Sequence, residues 1–274
     1  TRRTKGTVLP TSLTIDQHIF GLKYQHTKRW SLDVGTSYMK SEINLQGYTV
    51  IPKINRGPFL PPLPERKIDI NINSGSKGWS DSILGLNYTW PLSDIQNLEF
   101  STSMSVPTGD TDKEVNGRRL PYAGQLGSGT LDFIPKVAYD INWNGLFADT
   151  DLAYTLRSGR SDQNYQMGNQ ALFNLKTGYS YRKWLSVYAQ GRVRDWEATI
   201  DPRYDNPAVV KDDPYVEKGT RWEVLAASQL AVPLPYYVGA LLLQGGFPLV
   251  QGQDSGPSQL ESDWFVATQL VANL

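Results

Sequence analysis

Large apolar side chains occupy every second position from Leu131 to Leu156, LDFIPKVAYDINWNGLFADTDLAYTL, and polar or charged residues fill most of the gaps. Before the short link NWNG, Leu131, Phe133, Pro135, Val137, Tyr139, Ile141 and Trp143 alternate with Asp132, Lys136, Asp140 and Asn142. After it, Leu146, Ala148, Thr150, Leu152, Tyr154 and Leu156 oppose Asp149, Asp151 and Arg157. A period of two is that of a β-strand, whose successive side chains point to opposite faces. A soluble sheet turns the apolar face to a core. A membrane barrel turns it to lipid and keeps the polar face inside. The local pattern is the same in both, so the rest of the chain decides.

The alternation returns along most of the sequence, in segments around Phe20–Tyr24, Trp30–Tyr38, Leu84–Trp90, Leu98–Val106, Phe173–Tyr181, Leu185–Val193, Trp222–Leu230, Tyr236–Gln251 and Trp264–Leu274. Most of these approach the roughly 10 residues that a tilted membrane-spanning strand needs, whereas strands of soluble proteins average about 5–6. The links alternate between short ones (HTKR, PLSDIQ, NWNG, RKW, VPLP) and long ones (45–77, 109–129, 159–168, 200–219, 253–261). Sorting of turns to one end and loops to the other is the layout of outer-membrane barrels. Trp30, Trp90, Trp143 and Trp184 all stand beside a short link, as an interfacial aromatic girdle requires. An even strand number would make Arg3–Leu13 a separate first strand, irregular at Pro10. The expectation is therefore an all-β, transmembrane, antiparallel up-and-down barrel of about twelve strands. It forms one domain over 1–274, with long extracellular loops 45–77, 109–129 and 200–219. The expected location is a bacterial outer membrane, with both termini periplasmic.

Composition narrows the function. Cysteine is absent, which excludes disulfides, thiolate metal sites and thiol nucleophiles. Charge is balanced at zero, with no nucleic-acid footprint. No apolar run reaches the length of about 18 that a spanning helix needs. The chain begins at Thr1 and reads as processed, with any export signal already removed. Only His18 and His26 are present, and no HExxH, GxSxG or phosphate-binding glycine loop occurs. His18 shares the face of Phe20 and Leu22, yet no Ser/Asn pair is placed beside it, so an outer-membrane lipid hydrolase is disfavoured. The expectation is a non-enzyme with no catalytic residue, metal or cofactor.

The polar positions between the apolar ones should line a lumen: Asp132, Lys136, Asp140, Asp149, Asp151, Lys176, Arg182, Arg192, Arg194, Arg221 and Glu223. Their mixed signs argue against a strongly selective ion pore, which favours a ring of one sign. Arg182, Arg192 and Arg194 form the best candidate for anion contact, since a guanidinium fork matches a carboxylate. At the expected width, opposite charges should meet across the lumen and constrict it.

The run SMSVPTGD at 103–110, followed by QLGSGTLDF at 125–133, resembles the outer-membrane transporters grouped with the meta-pathway phenol-degradation proteins. The matching positions are Pro107, Thr108, Gly109 and Asp110, then Gly127, Gly129 and Asp132. The resemblance implies a channel or transporter for small apolar or aromatic solutes, with membrane lipid and a small solute as its partners. The proline-rich stretch GPFLPPLPERK, 57–67, departs from that family. It suggests the alternative of a plugged barrel that scaffolds an envelope assembly, with loop 45–77 holding a protein partner.

Overall fold

The computed structural model describes residues 5–51, 66–115, 118–120, 122–181, 184–202, 216–233, 239–254 and 264–273. The main strands are β1 (Lys5–Gln25), β2 (Trp30–Ile51), β3 (Arg66–Trp79), β4 (Ser82–Ser93), β5 (Gln96–Val106), β8 (Leu131–Trp143), β9 (Leu146–Ser158), β10 (Gln170–Tyr181), β11 (Leu185–Trp196), β12 (Gly219–Pro233), β13 (Gly239–Asp254) and β14 (Phe265–Asn273). Between β5 and β8 lie a two-residue hairpin, β6 (Glu114–Val115) with β7 (Arg118–Arg119), and a single 3-10 turn, Tyr122–Gly124. The twelve main strands form one sheet that closes on itself, because β1 pairs with both β2 and β14. The all-β barrel expected from the alternation is the fold.

The count of twelve arises differently from the parity expectation. Residues 5–13 are not a separate strand; they continue β1 above the barrel. The extra strand comes from β3 and β4, which pair in succession with the upper and lower parts of β2. The wall is therefore eleven strands around, and its seam, β1 on β14, is parallel. The parallel seam puts Lys5 at the long-loop end and Asn273 at the turn end of their strands.

Loop 45–77 is not irregular throughout. Most of it is ladder: Tyr38–Ile51 of β2 pairs with Arg66–Trp79 of β3, and Pro10–Leu45 to Lys5–Val50 pairs continue on the β1 side. The three strands form a ribbon that rises above the barrel. The expected proline-rich plug at 57–67 lies largely outside the described residues, as do 203–215 of the third long loop.

The side-chain arrangement is inverted relative to a soluble fold. Trp143 is 60% exposed and Leu152 56%, and Val137, Tyr154, Phe173 and Val187 share their outward face. The face opposite is polar. Trp30, Trp90, Trp143 and Trp184 all point outward at the turn end. The sequence reading missed a second set at the loop end, Trp79, Trp222 and Trp264, also outward. Above this level the outer face turns polar, at Asp16, Lys40 and Glu42.

Prolines explain most irregularities of the ladder. Register shifts follow Pro10 and Pro91, and Pro248 adjoins the shift at Val224/Leu225. Proline lacks the N–H that a ladder needs and is accommodated at bulges. The NWNG link is a two-residue hairpin turn with positive φ at both centres, Asn144 (51°) and Gly145 (87°), as a type I′ turn demands. A Cβ on Gly145 would stand 2.9 Å from the Ser180 carbonyl oxygen. Gly145→Val is thus expected to destabilise the barrel by about 1–3 kcal/mol. Urea unfolding in detergent micelles, followed by tryptophan fluorescence, measures the change; an unaltered midpoint would contradict this account of the turn.

Candidate functional site in the barrel lumen

The mouth is built by the segment 107–130. At the junction of β3 and β4 the chain leaves the ladder, and Ser80 bonds back to Ser37 through its N–H (2.8 Å) and hydroxyl (2.7 Å). This frees Asp81, whose carboxylate accepts bonds from Gly109 N–H (3.0 Å), Ser128 N–H (2.7 Å) and the Ser128 hydroxyl (2.9 Å). Leu126 and Gly127 N–H donate to the Asp110 carbonyl. Gly109 and Gly127 meet face to face: a Cβ on Gly109 would lie 2.7 Å from the Leu126 carbonyl oxygen. The motif glycines are thus required by close backbone approach. Gly129 has φ +71° and adjoins Thr111 and Ser161.

The segment then lies on the inner face of the ribbon. Ser76 hydroxyl donates to the Gly124 carbonyl (2.6 Å), and Ser41 and Ser76 hydroxyls are 2.9 Å apart. Tyr122 packs against Tyr165 of the β9–β10 link, ring centres 4.6 Å apart and planes tilted by 44°, and Tyr165 is fully buried. Beneath them, motif residue Asp132 accepts from Thr130 hydroxyl (2.6 Å) and pairs with Arg157 (3.2 Å), both side chains nearly buried. Arg157 Nε also donates to the Gly168 carbonyl (3.0 Å), tying the β9–β10 link to the wall.

In the middle of the lumen the charges form a belt along the wall. Lys136 and Asp140 stand on β8, Asp149 and Asp151 on β9, Lys176 on β10, Arg192 and Arg194 on β11, and Arg221 and Glu223 on β12, all on the face opposite the apolar one. Lys136 pairs with Glu99 (3.3 Å), Lys176 with Asp149 (3.9 Å) and Arg192 with Glu223 (2.9 Å). Asn97 donates to Asp140 (2.9 Å). Each of these contacts joins neighbouring strands; the expected pairing across the lumen is not how these charges are satisfied. Asn174, which sequence reading passed over, joins the acidic and basic walls: its amide nitrogen donates to Asp151 (2.9 Å) and its amide oxygen accepts from Arg192 Nε (3.3 Å). The register sets Asn174 and Leu172 opposite Arg192 and Arg194, so the basic cluster is completed by Arg221 across from Arg194. Arg182 lies outside the described residues.

Toward the turn end the lumen is aromatic. Lys176 Nζ sits 4.3 Å from the Tyr188 ring centre and 5.3 Å from that of Phe147. Gly178 makes room for Tyr188, since a Cβ there would lie 2.6 Å from the tyrosine Cβ. With eleven strands around, spaced about 4.8 Å and tilted about 40°, the backbone radius is roughly 11 Å. Side chains of this length leave a narrow path. Among the described residues no group of three or more His, Asp or Glu is arranged to hold a metal ion.

The buried Asp132–Arg157 pair gives a direct test. Arg157→Met alone is expected to cost about 3–5 kcal/mol by stranding the carboxylate, whereas Arg157→Met with Asp132→Leu recovers most of the loss. A double-mutant cycle on urea unfolding checks this; additive losses would mean that the pair is not coupled.

No curated protein matches the chain. A family model described as "Putative MetA-pathway of phenol degradation" matches residues 2–199, which include the whole mouth motif and the strands that carry the charge belt up to Arg194. The chain belongs to this phenol-degradation-associated family.

Proposed function

We propose that this chain spans a bacterial outer membrane and passes small apolar or aromatic solutes through a constricted lumen. The observation that carries the reading is the inversion of the wall. An outward belt of large apolar side chains encircles a polar interior, and the buried apolar residues among those described are few: Leu120, Tyr122, Leu126, Tyr165, Tyr188, Trp196, Leu225 and Ala227. Soluble monomers rarely expose contiguous apolar patches above a few hundred Å2, and lipid is the medium that removes such a belt from water. Tryptophans at both margins fit the two interfaces. Closure without an edge along the turn-end half fits a medium that cannot satisfy backbone groups. Family membership supports a role around aromatic compounds.

The folded segment 107–130 favours a second reading, a barrel stoppered at its mouth that serves as a scaffold. The ribbon of β1, β2 and β3 offers such a scaffold two open strand edges for a partner protein.

Two measurements separate these. Spin labels at Val137, Tyr139, Leu152 and Tyr154 are expected to contact lipid, and labels at Lys136, Asp149 and Asp151 are not; the reverse would sink the membrane reading. In planar bilayers the wild type is expected to give small, weakly selective conductance. Gly127→Ala places a Cβ 2.4 Å from Asp81 Oδ1 and 2.7 Å from the Gly109 carbonyl oxygen, so it loosens the mouth and is expected to raise conductance several-fold. Silence in both proteins would favour the scaffold.

A further inference from the structure

One cavity of the lumen, about 550 Å3, has two unlike walls. Its polar wall carries Arg192, Arg194, Arg221 and Glu223, three guanidinium groups against one carboxylate. Glu223 is committed twice, to Arg192 at 2.9 Å and to Arg221 at 3.7 Å. Arg194 stands directly across the ladder from Arg221, and its buried Nε has no hydrogen-bond partner among the described residues. Like charges directly opposite on a sheet repel, and a buried guanidinium N–H without an acceptor costs free energy. Among the described residues the polar wall thus carries more positive than negative charge, with Arg221 also reaching Gln251 Oε1 (3.5 Å), and it is Arg194 Nε that is left without an acceptor.

The other wall is apolar. Ile15 and Ile19 project from β1 on the lumen face, where most neighbours are polar, and remain 47% and 38% exposed. Leu225 and Pro248 continue this surface. Val266, outward on β14, and Trp264 just before that strand also border the cavity, because the β1–β14 ladder begins only at His18 and Thr268. The cavity thus adjoins the apolar outer face through the upper part of the seam. The volume lies in the range of about 300–1,000 Å3 typical of small-ligand sites.

We propose that this cavity binds a small organic acid, its carboxylate on Arg194 and its aromatic or aliphatic body against Ile15, Ile19 and Leu225. A guanidinium fork matches a carboxylate, and a charge surplus without an apolar wall would not distinguish such an acid from an inorganic anion. The proposal rests on the barrel being a membrane conduit and names its substrate class.

The test is calorimetric titration of the full chain in detergent micelles with benzoate and octanoate, with toluene, acetate and inorganic phosphate as controls. Benzoate or octanoate is expected to bind at least tenfold more tightly than acetate or phosphate. Arg194→Gln is expected to weaken that binding tenfold or more while leaving the fold intact, as judged by heat-modifiable migration on gels. Arg194→Lys, which keeps the charge and loses the fork, gives an intermediate loss and serves if the glutamine variant does not fold. Ile19→Asn is expected to weaken octanoate more than acetate. Equal affinity for phosphate and octanoate would overturn the organic-acid assignment, as would toluene binding as tightly as benzoate, or no binding by folded protein. Spin-label contact with lipid at Val137 and Tyr139 in the same preparation reads the membrane assignment separately, so a failed titration with intact lipid contact removes the ligand and leaves the conduit.

Discussion

Everything in this molecule depends on the closed backbone ladder. Each wall strand satisfies its N–H and C=O groups against two neighbours, and closure leaves no edge through the girth of the barrel. Once the ladder is closed, side chains have only two destinations. Period-two alternation sends Val137 and Leu152 out and Lys136 and Asp151 in, with no third option. At the level of the apolar belt charge is confined to the lumen, and the lumen is narrow, so its charges must be paired or given something to bind. Prolines could break such a ladder, and they stand at or beside its bulges, at Pro10, Pro91 and Pro248.

Most of the lumen chemistry follows from neighbouring strands carrying opposite signs, with Asp140 opposite Asp149 and Arg194 opposite Arg221 as the exceptions. Asp149 and Asp151 on β9 face Lys176 and Asn174 on β10, which face Gln190 and Arg192 on β11, which faces Glu223 on β12. Asn174 works at the junction because an amide has both a donor and an acceptor end; Asp or Lys at that position would repel one side. The mouth uses a similar economy, with one carboxylate, Asp81, collecting donors from both arms of the 107–130 segment.

The wall strands were legible in the sequence because a closed sheet with one apolar and one polar face forces alternation, and the outward tryptophans were legible because all four stand beside short links. What escaped was whatever depends on which strand continues. Residues 5–13 and 40–51 alternate poorly because they stand above the apolar belt, so they read as loop or as a separate strand, not as the upper halves of β1 and β2. Asp81 was missed although a signal existed: outward residues are odd at Trp79 and even at Leu84, and such a parity change marks a bulge. The arginine cluster was assembled with Arg182 because strand adjacency is visible in sequence and register is not. Register adds Arg221, from the strand on the other side, while Arg182 lies outside the described residues.

The parallel seam has a consequence for how the barrel is made. β1 and β14 are the first and last strands of the described chain, so their contact closes the longest loop the molecule contains. Loop-closure entropy and contact order place such pairing late in assembly. The seam is also short, six residue pairs against twenty for β1 on β2. The hairpins from β8 through β13 can therefore form as a curled sheet before the ring exists, and ring formation is the slow, final event. A joint made last, and with no more residue pairs than any other in the wall, is the natural place for the wall to part first under mechanical tension.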